Sequence, residues 1–567
     1  MTRARGILAL IVALCAVLVT GCAGFPESGS IQYGLETGAD TGGSQNVTFI
    51  PNRPQPGATP QQIVEGFIDA GSGPGVRGTW DVAKEFLAPD LKEAWDPLAT
   101  VRIDERAERD YAESATGEGS VTFSYEAVAD LDDIGSYKRA ELAANSQEFR
   151  LAKQSDGEWR ITEAPDGIWL DEGQFPQVFR RYSLMYFDPT WQYLVPDVRW
   201  FPSVNAASTI AVNLVNKPRS EWLAESVKTA FPDGAVVVPS VQVDEQDVAI
   251  VDFEDTSLLS ANPTALDRMV TQLRESLHAA GVADVVMRVD STPVEASPVA
   301  VRSTRVPAAP LVLTADGFGF LAGDEIDQIP GLSPAVVAAA PTAVQVGPEH
   351  DVAAVKLPGG EVARLTSTST APEVLDTRAG LADPVVDGFG YVWSVPKDQP
   401  TALQAYAPQS IDPIALADAW PDATAVSAMA LSRDGTRMAA TVTSGGRTVL
   451  WVAGVLRDGD NVPVALGPTV PLAIVGGPAD GVTWVDDVTV GVLARGDDAS
   501  IVVEQPVGGP TATSSGTSGM ASIAGGNGTS SLRLRAEDGT LFVKRGTAWQ
   551  PTATGVLLLA TQQGSPQ

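Results

Sequence analysis

Side chains of the types that most often carry catalysis are scarce in this 567-residue sequence. It holds only two histidines, His278 and His350, and two cysteines, Cys15 and Cys22. A zinc site of the usual kind needs several His or Cys ligands, and a Ser-His-Asp triad would have to recruit one of the two histidines. Neither a G-x-S-x-G elbow nor a P-loop motif occurs. The inventory therefore predicts no metal site and no nucleophilic triad.

Two further patterns could in principle support hydrolysis. Ser394 and Lys397 form an S-x-x-K pair, but penicillin-interacting enzymes carry this pair on a helix together with S-D-N and K-T-G motifs, and here Pro396 interrupts a predicted strand. Clustered aspartates at 130–135 and 484–488 could supply the two acids of a glycosidase or a calcium turn. Because the chain has 70 acidic residues, such clusters are expected by chance on a solvated surface. We therefore predict no catalytic residue, no metal and no cofactor.

The beginning of the sequence has the pattern of an export signal. Two arginines precede an apolar stretch over 7–19, which is shorter than the roughly 20 residues that a membrane-spanning helix needs. The residues VTGC at 19–22 resemble a bacterial lipobox, and this resemblance implies removal of residues 1–21 and acylation of Cys22. An ordinary secretory signal with an incidental cysteine is the alternative.

Cysteine usage and charge agree with a lipid-anchored protein outside the cytoplasm. Cys15 would leave with the signal, so the mature chain would hold Cys22 alone and could form no intrachain disulfide. The net charge of −32, from 38 basic and 70 acidic residues, repels nucleic-acid phosphates and anionic headgroups alike. We therefore predict no nucleic-acid partner, and we expect lipid on Cys22 to hold the protein at the extracytoplasmic face of the cell membrane.

A tether and an α+β domain are predicted to follow the signal. Residues 22–58 are rich in Gly, Ser, Pro and Asn, as tethers are. The first folded part, 59–175, opens with a helix whose capping box pairs Thr59 with Gln62, and it continues into alternating strands with a hairpin turn at 155–157. This order predicts an α+β roll of the cystatin-like kind. Three aromatic residues are expected in its core: Trp80, Phe86 and Trp95.

The second folded part, 193–297, has the predicted element order βααββαβ, in which helices cover one face of a small sheet. The sequence predicts a strand around RWFPS and helices over 204–216 and 221–234. A long helix is expected to begin at Asn262 and Pro263, and the strand VVMRVDSTPV closes the unit.

The third part, 305–560, shows strand–turn–strand patterns without a helical period. These patterns recur at spacings of about 35 to about 52 residues, close to the 40–50 of propeller blades. The dipeptide Asp-Gly, which suits hairpin turns, occurs among them, for example at Asp316, Asp387, Asp434 and Asp538. We therefore predict an all-β propeller, with two stacked sandwiches as the alternative. The Gly- and Ser-rich run 508–531 is expected to be a flexible loop or a poorly ordered blade connection.

Stretches of the second part resemble the GerMN domain of spore-germination and related actinobacterial lipoproteins. They are RWFPS, LVNKPRSEWLAESVKTAFPDG, VAIVDF, MVTQLRESL and VVMRVDSTPV. That domain usually has Gly-Pro-Ser after its first helix, where this sequence has Lys217, Pro218 and Arg219. The order of lipobox, α+β roll, α/β GerMN domain and propeller resembles the LpqB family of actinobacterial lipoproteins along nearly the whole mature chain.

This resemblance implies a lipoprotein that is not an enzyme and that binds and modulates the sensor histidine kinase MtrB of the MtrA–MtrB pair. The first or second folded part would dock on the extracytoplasmic domain of the kinase. Lipid on Cys22 would confine the protein to the membrane of the kinase and so raise its effective concentration. The alternative is an envelope hydrolase of glycans or peptides, or a wall-ligand-binding protein, that uses the propeller face.

Overall fold

The computed structural model describes residues 51–113, 119–140, 144–254, 258 and 261–566. These residues belong to one compact unit, Val47–Gln567. The signal, Cys22 and most of the tether lie outside the described residues, so what was predicted for them stays a prediction. No helix in the described part of the chain is long and apolar enough to cross a membrane.

The first domain packs a capped helix against a seven-stranded sheet. Thr59 and Gln62 form the predicted capping box, with both reciprocal hydrogen bonds present. The aromatic residues predicted for the core, Trp80, Phe86 and Trp95, are all buried in it. The elements are α1 (Pro60–Ala70), α2 (Asp81–Lys84), α3 (Pro89–Ala94), β1 (Val101–Asp104), β2 (Asp110–Glu113), β3 (Ser120–Leu131), β4 (Tyr137–Arg139), β5 (Ala144–Lys153), β6 (Trp159–Glu163) and β7 (Ile168–Asp171).

The sheet of the first domain is organised around its longest strand. β3 pairs antiparallel with β1, β2, β4 and β5. β5 and β6 form the hairpin predicted to turn at 155–157, and β7 joins β1 in parallel. The α+β class predicted for this part is therefore confirmed.

A two-stranded hairpin leads from the first domain into the second. The short helix α4 (Phe175–Val178) runs directly into β8 (Phe179–Phe187), which pairs along its whole length with β9 (Leu194–Pro202). Side chains of both strands, among them Tyr186 and Val195, belong to the core of the second domain. Both strands are thereby fixed to that domain.

In the second domain, helices pack on a four-stranded sheet. The side chain of Asn262 accepts from the backbone N–H of Ala265 and caps the long helix at its predicted start. The strands on either side of that helix, β11 and β12, run parallel, as a crossover connection requires. The elements are α5 (Ala206–Asn216), β10 (Gln242–Val243), β11 (Val248–Phe253), α6 (Pro263–Leu277), β12 (Asp284–Val289) and β13 (Thr292–Pro293).

The helix predicted over 221–234 is wrong. This segment forms successive turns, and Lys228 makes a β-bridge with Phe187 of β8. Leu223 is buried in the second domain, whereas Trp222 packs against that core and against a core of the propeller at once. Contacts with two domains satisfy the apolar side chains without a helix, so tertiary packing overrides the local propensity.

The third domain consists of six sheets in chain order, which is the arrangement of a six-bladed propeller. Strands from the two ends of the domain close the first blade, because β38 pairs with β14 as its innermost strand. β39 then runs parallel to β17, the inner strand of the second blade. The propeller is therefore confirmed, and the alternative of two stacked sandwiches is excluded.

The blades of the propeller are built as follows, with one helix, α7 (Leu332–Ala339), between the first two. The first three blades contain β14 (Leu311–Thr314), β15 (Gly317–Ala322), β16 (Glu325–Asp327) and β38 (Leu558–Leu559); β17 (Ala343–Val346), β18 (Val352–Lys356), β19 (Val362–Thr366), β20 (Glu373–Asp376) and β39 (Thr561–Gln562); and β21 (Val385–Val386), β22 (Val392–Ser394), β23 (Gln404–Tyr406) and β24 (Pro413–Ala415). The last three contain β25 (Ala425–Leu431), β26 (Arg437–Ser444), β27 (Arg447–Arg457), β28 (Pro463–Leu466) and β29 (Val470–Ile474); β30 (Ala479–Trp484), β31 (Thr489–Arg495), β32 (Ser500–Pro506) and β33 (Ala512–Ser515); and β34 (Met520–Ala524), β35 (Arg533–Ala536), β36 (Leu541–Arg545) and β37 (Ala548–Ala553).

The four Asp-Gly dipeptides named above lie on two different turns of the blades. Asp387 and Asp434 lie between the first and second strands, whereas Asp316 and Asp538 lie between the second and third. This difference contributes to their uneven spacing along the sequence. The run 508–531 was predicted to be a flexible loop or a poorly ordered blade connection. It does connect the fifth and sixth blades, but the predicted lack of order is wrong, because the run contains the outer strand β33 and the inner strand β34, which pair through their backbones.

Candidate functional site

The S-x-x-K pair is built into the structure of a blade. Ser394 is fully buried at the end of β22, and its Oγ donates to Asp376 Oδ2 at 2.5 Å. Burial alone would raise the pKa of Asp376, but hydrogen bonds from Arg378 and Ser394 outweigh it and hold that pKa below its usual value. Lys397 lies beyond the strand and is exposed. The buried hydroxyl of Ser394 therefore stabilises the charged carboxylate of Asp376 and has a structural role.

Ser394→Ala should cost about 1.5–3 kcal/mol of folding stability at neutral pH, the usual worth of a hydrogen bond to a charged group. The depressed pKa of Asp376 contributes stability above the unfolded value of 3.8, and this contribution is lost as the pH falls through the lower folded pKa. The difference between variant and parent should therefore shrink in acid. Denaturant unfolding at several pH values measures it. Lys397→Ala is the control and should change stability by less than about 0.5 kcal/mol; equal losses would contradict the structural role.

The clustered aspartates lie in two different domains, and an aspartate of each cluster accepts hydrogen bonds within the fold. Asp132 accepts hydrogen bonds from backbone N–H groups of its own turn in the first domain. Asp487, in the propeller, accepts from Thr304 Oγ1 at 2.9 Å, and burial raises its pKa. Among the described residues, no group of three or more His, Cys, Asp or Glu side chains could hold a metal ion.

The two histidines also lie in different domains. His278 starts a short 3-10 turn after α6 in the second domain. His350 sits in a propeller turn, where its Nε2 lies 3.3 Å from the carbonyl oxygen of Gly564, and burial lowers its pKa. His350 thus contacts a backbone carbonyl, whereas the hydroxyl of Ser394 donates to Asp376 and not to a histidine, as a triad would require.

A cavity of about 230 Å³ lies on the axis of the propeller, between the inner strands of its blades. Residues of β17, β21, β25, β30, β34 and β38 line it. At one end the lining residues Asp383 and Leu557 are exposed, whereas at the other end Trp484 and Gln563 are buried. This channel is therefore open at one end and closed at the other.

Gln563 forms one part of the closed end of the channel. Its Nε2 donates to Gln345 Oε1 and to the carbonyl oxygen of Leu431, each at 3.2 Å. Because Gln345 belongs to the second blade and Leu431 to the fourth, this side chain spans the axis. Its Oε1 has no hydrogen-bond partner among the described residues, although Gln563 is only 3% exposed.

The other part of the closed end is the guanidinium of Arg433, which lies in the turn between β25 and β26. It donates to the carbonyl oxygens of Thr304, Trp484 and Gly526. These acceptors belong to the connection from the second domain and to the fifth and sixth blades. Burial lowers the pKa of Arg433, and the charges of nearby aspartates offset only part of this effect. In the described part of the chain, no carboxylate forms an ion pair with it.

All three domains meet at β9. Arg199 donates to the carbonyl oxygen of Ile134, in the first domain, at 3.0 Å. It also forms a two-point ion pair with Asp197, at 2.7 and 3.1 Å, inside the second domain. The adjacent Trp200 donates its indole N–H to the carbonyl oxygen of Gly508, in the propeller, at 2.8 Å. Two neighbouring residues of one strand thus connect three domains.

Sequence reasoning singled out neither the channel nor the junction. Arg433 lies within AMALSRDGTRMAATV, a stretch that predicted a blade, and a charged residue just after an apolar strand is the only signal there. Gln563 lies beyond 560, where the propeller was predicted to end. Cys22, the one predicted site residue, lies outside the described residues.

Three family models match the chain in succession. Residues 53–176 match a model described as the N-terminal domain of lipoprotein LpqB, and residues 316–557 match the lipoprotein LpqB beta-propeller domain. Between them, residues 183–295 match a model named Germane and described as sporulation and spore germination. The order of these matches is the order of the three domains.

Curated relatives named lipoprotein LpqB are similar to about half of the chain. The protein of Cutibacterium acnes is 25% identical over 47% of this chain and 44% of its own length. That of Rhodococcus opacus is 30% identical over 41% and 38%, and that of Mycolicibacterium smegmatis is 30% identical over 50% and 49%. The chain thus spans less than half the length of each of these relatives.

Proposed function

We propose that this chain, which belongs to the LpqB family of lipoproteins, acts as a membrane-anchored binding protein and not as an enzyme. Its partner in this proposal is the extracytoplasmic domain of a sensor histidine kinase of the MtrB type, whose signalling it modulates. Acyl chains on Cys22 would hold both proteins at one membrane, which raises their effective concentration without any new contact.

The observation that carries the proposal is the junction at β9. Arg199 and Trp200 connect the first domain, the second domain and the propeller through short hydrogen bonds. Surfaces that are already fixed relative to one another lose little freedom on binding. A partner bound to one of them would also favour one state of the whole body. This arrangement supports a role in binding.

The inventory of side chains supports the same proposal. Ser394, Asp487 and His350, which could have carried chemistry, are engaged in hydrogen bonds of the fold. The relatives are named as lipoproteins. A binding role requires none of these side chains to be free.

We place the kinase contact on the first domain, because the predicted tether leads directly into it. A cleft of about 540 Å³ lies there, between the segment from Pro51 to Ala58 and helix α1. Arg53 and Asp69 line this cleft as ion-paired groups and Glu65 lines it as an exposed acid, so that it offers a charged surface to a partner. Charged groups of this kind set the specificity and rate of an encounter.

The test is a binding titration of the full mature protein against the purified extracytoplasmic domain of the kinase. We expect saturable binding that Glu65→Arg, in the cleft, weakens by about tenfold or more. Glu245→Arg is the matched control, because Glu245 is an exposed acid of the second domain, and it should leave binding unchanged. No binding by the parent protein would contradict the proposal. Breakdown of cell-wall glycan or peptide fragments would favour the hydrolase alternative.

A further inference from the structure

The channel of the propeller carries unpaired positive charge in a strongly acidic protein. Arg433 lies at its closed end, Arg535 lines its wall and Lys397 lies at its mouth. None of these three forms an ion pair with a residue that the structure describes. Burial lowers the pKa of Arg535 as well as that of Arg433. Nearby aspartate charges offset only part of this effect, and a bound anion would offset more of the cost of desolvating the two cations.

The acids at the same mouth are already neutralised. Asp383 pairs with Lys356 at 3.2 Å, and Asp480 pairs with Arg495 at 2.5 Å. The charge that remains in the channel is therefore positive, although the chain as a whole carries −32. A channel with this lining attracts anions from solution.

Arg535 and Ser522 are arranged as a clamp for such an anion. They lie opposite each other on β34 and β35, and both line the channel. Arg535 uses its Nε to donate to the carbonyl oxygen of Val556 at 2.7 Å. The buried Oγ of Ser522 has no partner among the described residues. A guanidinium and a hydroxyl at one place match the two oxygens of a carboxylate.

The closed end of the channel would bind a hydrogen-bond donor and not an anion. Gln563 is almost completely buried, and its Oε1 accepts no hydrogen bond from the described residues. An amide oxygen can only accept, so a ligand that satisfies it must bring a donor such as a hydroxyl. The volume of about 230 Å³ is enough for several water molecules and so for one small organic molecule.

We propose that this channel is a binding site for a small hydroxylated carboxylate of the sugar-acid class. The carboxylate lies between Arg535 and Ser522, a hydroxyl donates to Gln563 Oε1, and Arg433 contributes positive charge from the closed end. Because Arg433 also holds Thr304 of the connection to the second domain, an occupied channel would stabilise that connection. This site is separate from the kinase contact proposed on the first domain.

Isothermal titration calorimetry of the full mature protein tests this, with sodium glucuronate, glucose and sodium acetate as probes. Glucuronate should bind about tenfold or more tightly than the other two, because it alone offers both the carboxylate and the hydroxyls. Arg535→Gln should weaken glucuronate binding by about tenfold or more. Arg545→Gln is the matched control on the next strand, where Arg545 is exposed and bonds to the carbonyl oxygen of Ser530. It should leave binding unchanged.

A second variant keeps the test independent of the charge of the protein. Ser522→Ala removes only one hydroxyl and should weaken glucuronate binding several-fold, while thermal unfolding checks that each variant is folded. Absence of glucuronate binding, equal binding of all three probes, or equal losses in Arg535→Gln and Arg545→Gln would overturn the proposal. Kinase binding, measured on the same samples, should persist in Arg535→Gln, so that failure of one proposal is distinguishable from failure of the other.

Discussion

Asp197→Ala should destabilise the folded protein by about 3–5 kcal/mol, because it leaves a buried guanidinium without its counter-ion. Asp197 and Arg199 are each 1% exposed. Asp197 also accepts from the backbone N–H and the hydroxyl of Ser220, at 2.9 and 2.7 Å, so three groups lose their partner together. We expect a lower midpoint of guanidinium unfolding, followed by tryptophan fluorescence, and faster proteolysis between the domains.

The second domain offers a matched control for this variant. Asp252 and Arg288 form an ion pair of the same two-point geometry, at 2.8 and 2.9 Å, but their side chains are 29% exposed. Exposed pairs contribute little to stability because water solvates both partners well. Asp252→Ala should therefore shift the unfolding midpoint much less than Asp197→Ala. Equal shifts would show that burial at β9 is not what makes the pair matter.

Cys22→Ala should release the protein from the membrane and abolish its proposed effect on the output of the kinase. The predicted anchor depends on acyl chains on this one thiol, and stable anchoring needs about two such chains. The net charge of −32 gives no electrostatic attraction to anionic lipids that could replace them. Fractionation of cells into membrane and soluble parts measures the release, and phosphorylation of the response regulator measures the signalling.

Cys15→Ala is the control for that experiment, because Cys15 lies within the predicted signal and would be removed with it. This variant should remain on the membrane and should signal like the parent. Mass spectrometry that finds unmodified Cys22 on the exported protein would contradict the anchor. Unchanged signalling by a soluble form would contradict the argument from effective concentration.

Elements could be predicted from the sequence where neighbouring residues mark the start of a helix or repeat with the hydrophobic period of a helix or strand. The capping box of Thr59 and Gln62 and the cap at Asn262 mark the helices that the structure contains. The apolar stripe over 221–234 led to the wrong prediction of a helix. Trp222 packs between two domains, and such a contact cannot be inferred from local periodicity. The Gly- and Ser-rich run 508–531 was wrongly predicted to lack order for another reason. Its strands pair through backbone groups, which every residue type has, so composition does not reveal them.

The candidate site could not be predicted from the sequence in the same way. The lining of the channel comes from all six blades, and each blade contributes only a few residues. Arg433 and Gln563 lie 130 positions apart and meet only because the ring closes. At β9, Arg199 looks like any arginine in an exposed strand until Asp197 and Ile134 are seen around it.

The closure of the first blade has a consequence for how the protein is made. Val312 of β14 pairs with Leu559 of β38, a contact between residues about 250 positions apart in the chain. Closing so long a loop costs conformational entropy before the contact contributes any stabilisation, and such topologies are therefore slow to fold. The ring therefore cannot be completed before its last strand is in place. If the chain is exported in an extended form, as its first residues predict, this delay would keep it unfolded until it has crossed the membrane.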